Sequence, residues 1–299
     1  MAPQSHDQVA AVTSVNSIAT GATADSMARQ HPQPKSNLGR KRPQFGLWSV
    51  VVVCALYFLF PLWAIAKFTL DLPLEGWTFK AYTKAVQEPE LHTTLWLSLR
   101  ITGGTVALSL ALMIWTVLWT TLKVKRMQPV VEFISILPYM VPPIAFVVGI
   151  AGVFRPAFPS FIANPYSLIF FYTVLAMPFT YRSLDAGLRA IDVKTLTEAS
   201  RGLGAGWMTT IMRVVVPNLR SALLGATFLT VAVVLGEYTI ASLLLINTFP
   251  IFLATYNSKE IFAGPALGLM SMLAVAVLFA LLGLFTRKRG GANATAAIA

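Results

Sequence analysis

Two acids, Glu198 and Glu237, stand where their neighbours give them chemistry to do. Glu198 lies in the run Thr195-Leu196-Thr197-Glu198-Ala199-Ser200, shortly before Gly204. Glu237 is the single charge in a stretch over residues 221–258, and Arg100 stands directly before an uncharged stretch over 101–122. Ionisable groups in apolar surroundings are costly and are usually functional or paired. Two readings of Glu237 follow. It forms an ion pair with Arg100 that holds two helices in register, or it lines a cavity and meets a cationic ligand. Other chemistry is thinly supplied. The single cysteine, Cys54, and the scattered His6, His31 and His92 give no metal-ligand cluster and no disulfide framework. Nor does Gly-x4-Gly-Lys-Ser/Thr occur, so a phosphate-binding loop is lacking. The chain is therefore expected to hold no catalytic, cofactor-binding or metal-ligating residues.

The elements that must position these acids are set by composition. Of 299 residues 56% are hydrophobic and 12% charged, against about 25% charged in ordinary soluble domains. The apolar residues gather into stretches over 45–66, 101–122, 133–154, 156–181, 221–258 and 261–286, each at or above the roughly 20 residues that cross a bilayer as helix. They do not alternate, which excludes a β-barrel. The expected fold is an all-α membrane protein with six transmembrane helices embedded in the lipid bilayer. Residues 1–42 form a polar, disordered tail, 43–68 the first transmembrane helix, 69–90 an extracytoplasmic loop, 91–289 a five-helix core and 290–299 a second tail. All of the 23 basic residues except Lys67, Lys80, Lys84, Arg100, Arg155 and Lys259 fall in the tails, the 123–132 loop and the 182–220 segment. By the positive-inside rule those parts, and both termini, are cytoplasmic. The net charge of +11 is thus an orientation signal and a basic cytoplasmic face, and a nucleic-acid partner loses its support.

Residues 182–220 make the longest charged connection. Thr195 followed three residues later by Glu198 is a capping-box signal, which starts a short helix at Thr195. Gly204 closes it, where positive φ is easy. Leu196, Ala199 and Leu203 form one apolar stripe, too short to be stable in water unless it leans on a membrane, its own bundle or a partner. A second short helix over 206–215 follows, with Pro217 in the first turn of the next span. Pro138, Pro142 and Pro143 interrupt the third span, as a packing kink or as a broken helix beside a cavity. Trp48, Trp63, Trp77 and Trp96 fit interfacial belts.

One segment resembles a known family. Glu198-Ala199-Ser200, then Gly204, then nine residues to Val214-Val215-Val216-Pro217 keeps the spacing of the Glu-Ala-Ala signature of type I binding-protein-dependent ABC importer permeases, with Ser200, Val214 and Val216 as departures of similar size. The resemblance covers about residues 91–289. It implies that 195–204 is the coupling helix, with Thr195, Leu196, Glu198, Ala199, Ser200, Leu203, Gly204 and Pro217 as ATPase-coupling residues, and that ATP is bound by a partner. The implied partners are two copies of an ATPase subunit, a second permease subunit and an extracytoplasmic solute-binding protein, and the implied location is the bacterial inner membrane. Residues 236–250 look like the spermidine/putrescine branch and its relatives for opines, phosphonates and iron, less like the sugar branch. A polyamine is the solute so implied. A secondary transporter stays open as a rival class, although it would need several intramembrane acids.

Overall fold

The computed structural model describes residues 44–73 and 75–290. The expected tails, apart from Gly290, lie outside the described residues. The chain divides after Phe58 into two units. The all-α expectation holds, since the only strands among the described residues are two residues each, Asp71–Leu72 (β1) and Gly76–Trp77 (β2), paired antiparallel. The first helix, α1 (Gln44–Leu70), is apolar all round, as a helix needs to be if its surroundings are lipid. The 69–90 connection is more structured than a loop. It carries the β1–β2 hairpin and α2 (Lys80–Gln87), whose Lys84 pairs with Glu260 at 2.6 Å.

Three further helices form the heart of the second unit: α3 (Pro89–Leu122), α7 (Leu168–Ala190) and α11 (Arg220–Gly236). Small and hydroxylated residues let them approach closely, as is usual where lipid gives no hydrophobic drive for association. Thr180 Oγ1 of α7 lies 2.8 Å from Ser109 Oγ of α3 and 3.2 Å from Thr230 Oγ1 of α11. Its own hydroxyl donates to the Ala176 carbonyl at 3.1 Å, which leaves Ser109 and Thr230 to donate to it. All three hydroxyl residues are fully buried. At Gly187 a Cβ would come within 2.3 Å of the Ala222 Cβ, so glycine is what lets α7 and α11 touch there.

By length and composition, three described helices can cross a membrane: Trp48–Leu70, Pro89–Leu122 and Ala263–Leu281, the last within α14 (Ala263–Gly290). Two bent pairs bring the number to five if each is one crossing. The 133–154 stretch makes one of them. It folds as α4 (Gln128–Met140) and α5 (Pro143–Ala157), set at 96°. Pro142 has no N–H to continue α4 and Pro143 suits the start of α5. Neither piece reaches the length of a full crossing. The 156–181 stretch is likewise divided, between the end of α5, the short α6 (Pro159–Ala163) and α7. α7 runs past Tyr181 to Ala190 because Leu184 and Leu188 bury against Val193, Ile211, Val215 and Leu219. In the 221–258 stretch α11 stops at Gly236, and α12 (Thr239–Leu243) and α13 (Phe249–Lys259) follow.

Candidate functional site

The short helix after α7 is α8 (Val193–Gly202). It begins two residues earlier than Thr195, which corrects the capping-box expectation. Asp192 is the N-cap. Its Oδ1 accepts from the Thr195 N–H at 3.3 Å and its Oδ2 from the Thr195 hydroxyl at 2.6 Å. The Thr195 hydroxyl holds the Asp192 carboxyl below the usual carboxylate range. Asp three residues before Thr was the sequence signal for this cap, and the later Thr-x-x-Glu pattern masked it. At the other end Leu203 is the C-cap and Gly204 takes φ +85°, the left-handed conformation expected of a C′ residue.

The stripe is not the face that packs on the bundle. The inward face of α8 is Val193 and Thr197, with Leu196 and Ser200 half-buried. The Thr197 hydroxyl donates to the Val193 carbonyl at 2.6 Å, and Ser200 Oγ lies 3.0 Å from Thr210 Oγ1. Glu198 and Ala199 are exposed, and Leu203 is 90% exposed.

After Gly206 the chain forms α9 (Trp207–Thr210), a π-helical turn over Ile211–Val215, and α10 (Val216–Asn218). The Val216 N–H reaches back to the Ile211 carbonyl. The expected helix over 206–215 is therefore present with its last half wound as π. Pro217 belongs to α10, before the break. It does not start α11, which sets off at 75° beyond Leu219. π-turns are rare and mark functional positions more often than chance would give.

Glu237 sits elsewhere, at the end of α11. It is the C-cap residue in extended conformation, outside any helix, and its Oε1 accepts from the Ile240 N–H at 2.7 Å. The carboxylate thereby fastens the start of α12. Arg100 is exposed, donating to the Tyr166 hydroxyl at 3.4 Å with its guanidinium 5.6 Å from the Trp96 ring centroid. Among the described residues no ion pair joins Arg100 to Glu237. A helix break absorbs Glu237 instead.

What Glu237 does border is space. A cavity of about 520 Å³ is walled by Pro138, Tyr139, Val141, Pro143, Phe146, Leu175, Ala232, Val233, Gly236 and Glu237. The α4–α5 break and the α11 end thus face one hollow, with Glu237 as its acid. On another side Glu237 borders a recess of about 10 Å³ shared with Ser98, Tyr172 and Thr248. The Tyr172 and Thr248 hydroxyls are buried there without a partner, and Ser98 Oγ accepts from the Phe249 N–H at 2.8 Å. Sequence reasoning missed Tyr139, Phe146, Tyr172 and Thr248. They lie in different elements, and only folding brings them together. Among the described residues no group of three or more His, Cys, Asp or Glu could hold a metal.

Residues 113–289 match the protein family described as binding-protein-dependent transport system inner membrane component. That range holds α8, Glu237 and the whole wall of the 520 Å³ cavity. No curated protein matches the sequence.

Proposed function

Because the chain belongs to the family of binding-protein-dependent transport system inner membrane components, we propose that it is the importer subunit that builds the solute path and couples it to a separate ATPase through α8. The family supports a type I ABC importer permease in the bacterial inner membrane, working with ATPase and solute-binding partners. The finer assignments are ours. They comprise six crossings, with α7 as the one beyond the five counted above, both termini cytoplasmic, two ATPase copies, a second and similar permease chain, and an extracytoplasmic binding protein.

One observation carries the coupling role. A capped helix holds Leu203 90% exposed while its other face packs on the bundle. Such a helix is pre-ordered on one side and unpartnered on the other, which suits insertion into a groove. ATP-driven closure of the ATPases draws two such helices together and opens the cavity outward to receive solute. Hydrolysis returns it to face inward. The Glu198→Ala/Gly204→Asp double variant should insert normally and lose copurification with the ATPase. Retained copurification would sink the assignment of α8.

For the solute we propose a polyamine or a related small cation. Support comes from Glu237 on a cavity otherwise lined by apolar and aromatic side chains, a combination that attracts a desolvated ammonium. Because Oε1 is engaged with Ile240, the second carboxylate oxygen is the one left for a solute. Glu237→Gln keeps an acceptor for the Ile240 N–H and removes the charge, so it should weaken uptake of a diamine far more than it weakens folding. Unchanged uptake would leave Glu237 as a helix fastener only and would favour an opine, phosphonate, iron or sugar as cargo.

A further inference from the structure

A second groove, which shares no lining residue with the Glu237 cavity, lies where the C-terminal end of α3 meets α9. It has a volume of about 270 Å³ and is lined by Trp115, Thr116, Leu118, Trp119, Trp207 and Ile211. Trp115, Trp119 and Lys123 are spaced four apart and so follow one face of the last turns of α3 and its cap. The Lys123 ammonium stands 5.2 Å from the Trp207 ring centroid. Lys123, Lys125 and Arg126 are all exposed, and among the described residues none of them is in an ion pair.

We infer that this groove is a binding site for an anionic phospholipid, its phosphodiester on Lys123 and one acyl chain along Trp115 and Trp119. Three observations fix that occupant. The groove is at the end of a 34-residue apolar helix long enough to cross the bilayer, which puts it at the depth where Trp rings and headgroups meet. Lys123 stands over Trp207 of the groove, Lys125 and Arg126 follow within three residues in sequence, and this positive charge complements a negative headgroup, as basic pockets beside membrane helices do. Choline headgroups are disfavoured, because the Lys123 ammonium already covers the Trp207 face that a trimethylammonium would need and repels a second cation. The bound lipid would brace Trp207, the first residue of the segment on which α8 rests. This inference is independent of which way the termini face.

The test uses the full-length chain, extracted with equal amounts of phosphatidylglycerol and phosphatidylcholine and weighed intact by native mass spectrometry. The wild type is expected to retain phosphatidylglycerol over phosphatidylcholine by about fivefold, the preference that one lysine adds near an anionic surface. Lys123→Gln should bring the ratio to parity, Lys123→Arg should keep it, and Trp119→Leu should lower retention of both lipids. Lys123 is exposed, so its variants are expected to fold. A ratio unchanged in Lys123→Gln, or parity in the wild type, overturns the proposal. So does a photo-reactive side chain at Trp119 that links to another polypeptide instead of to lipid, since the groove would then be a protein interface.

Discussion

The contact between α3, α7 and α11 and the short helix α8 use the same small hydroxylated residues to opposite ends. In the first, Ser109, Thr180 and Thr230 turn toward one another and are fully buried, and Gly187 brings α7 against Ala222. These three hydroxyls are closed on one another. In the second, Thr195 and Thr197 bond within the helix and its cap, Ser200 touches Thr210, and the opposite face with Glu198 and Leu203 is left bare. Internal closure gives rigidity, while one-sided closure gives a shaped surface with unused capacity for contact.

Substitutions can break this contrast. The largest effect is expected from Gly187→Leu, whose side chain has no room against Ala222 and Leu219. Overpacking of this kind costs about 1–3 kcal/mol or more, and the protein should aggregate on extraction or melt far below the wild type in a fluorescence-detected thermal scan. Thr180→Val removes both interhelical hydroxyl contacts at once. At about 0.6 kcal/mol each, and at most about 1.7, for such bonds within membranes, it should lower the melting temperature measurably while leaving the fold intact. Leu203→Asp should shift the same melting curve hardly at all, within roughly 0.5 kcal/mol as for exposed sites generally, yet reduce ATPase association severely. Equal losses of stability from Thr180→Val and Leu203→Asp would erase the distinction between the two regions.

The smallest effect concerns acid. The folded-state affinity of Asp192 for a proton is lowered by the Thr195 hydroxyl. Its contribution is therefore present above the ordinary aspartate range and is lost as pH falls through the lower folded value. Protection of the amides of residues 193–196, relative to their intrinsic exchange rate, should begin to fall below about pH 4, where a free aspartate takes up its proton, while the α3–α7–α11 hydroxyl contact, built without ionisable groups, stays protected. Asp192→Ala should show the lower protection already at neutral pH.

Some of this was legible from the residues alone. The apolar stretches locate the main helices, Pro142-Pro143 marks a true interruption, and Gly204 takes the backbone conformation its position demanded. Hydropathy reports composition, however, and gives no direction. It could not show that α4 and α5 meet at 96°. Nor could it show that α7 continues through Arg182 and Asp185, because burial of Leu184 and Leu188 under α8 decides that. Glu237 was recognised as exceptional, with an ion pair to Arg100 and a place on the cavity both open. Charge complementarity suggested Arg100, whereas the backbone N–H freed by the helix break at Gly236 was nearer in both sequence and space. Tyr172 and Thr248 were invisible because an unpartnered hydroxyl is a property of the folded site and leaves no trace in local pattern.

The uninterrupted run of α7 has a mechanical corollary. Leu175 lies on the wall of the large cavity, and Ala190 is two residues from the Asp192 cap of α8. A helix of 23 residues is ~34 Å long. Held near its middle by Thr180, such a rod can pivot there as a lever. A tilt of about 5° about Thr180 would move Leu175, roughly 7.5 Å along the axis, by about 0.7 Å and the far end of the helix at Leu168, roughly 18 Å away, by about 1.6 Å, so that the cavity wall shifts without bending any helix.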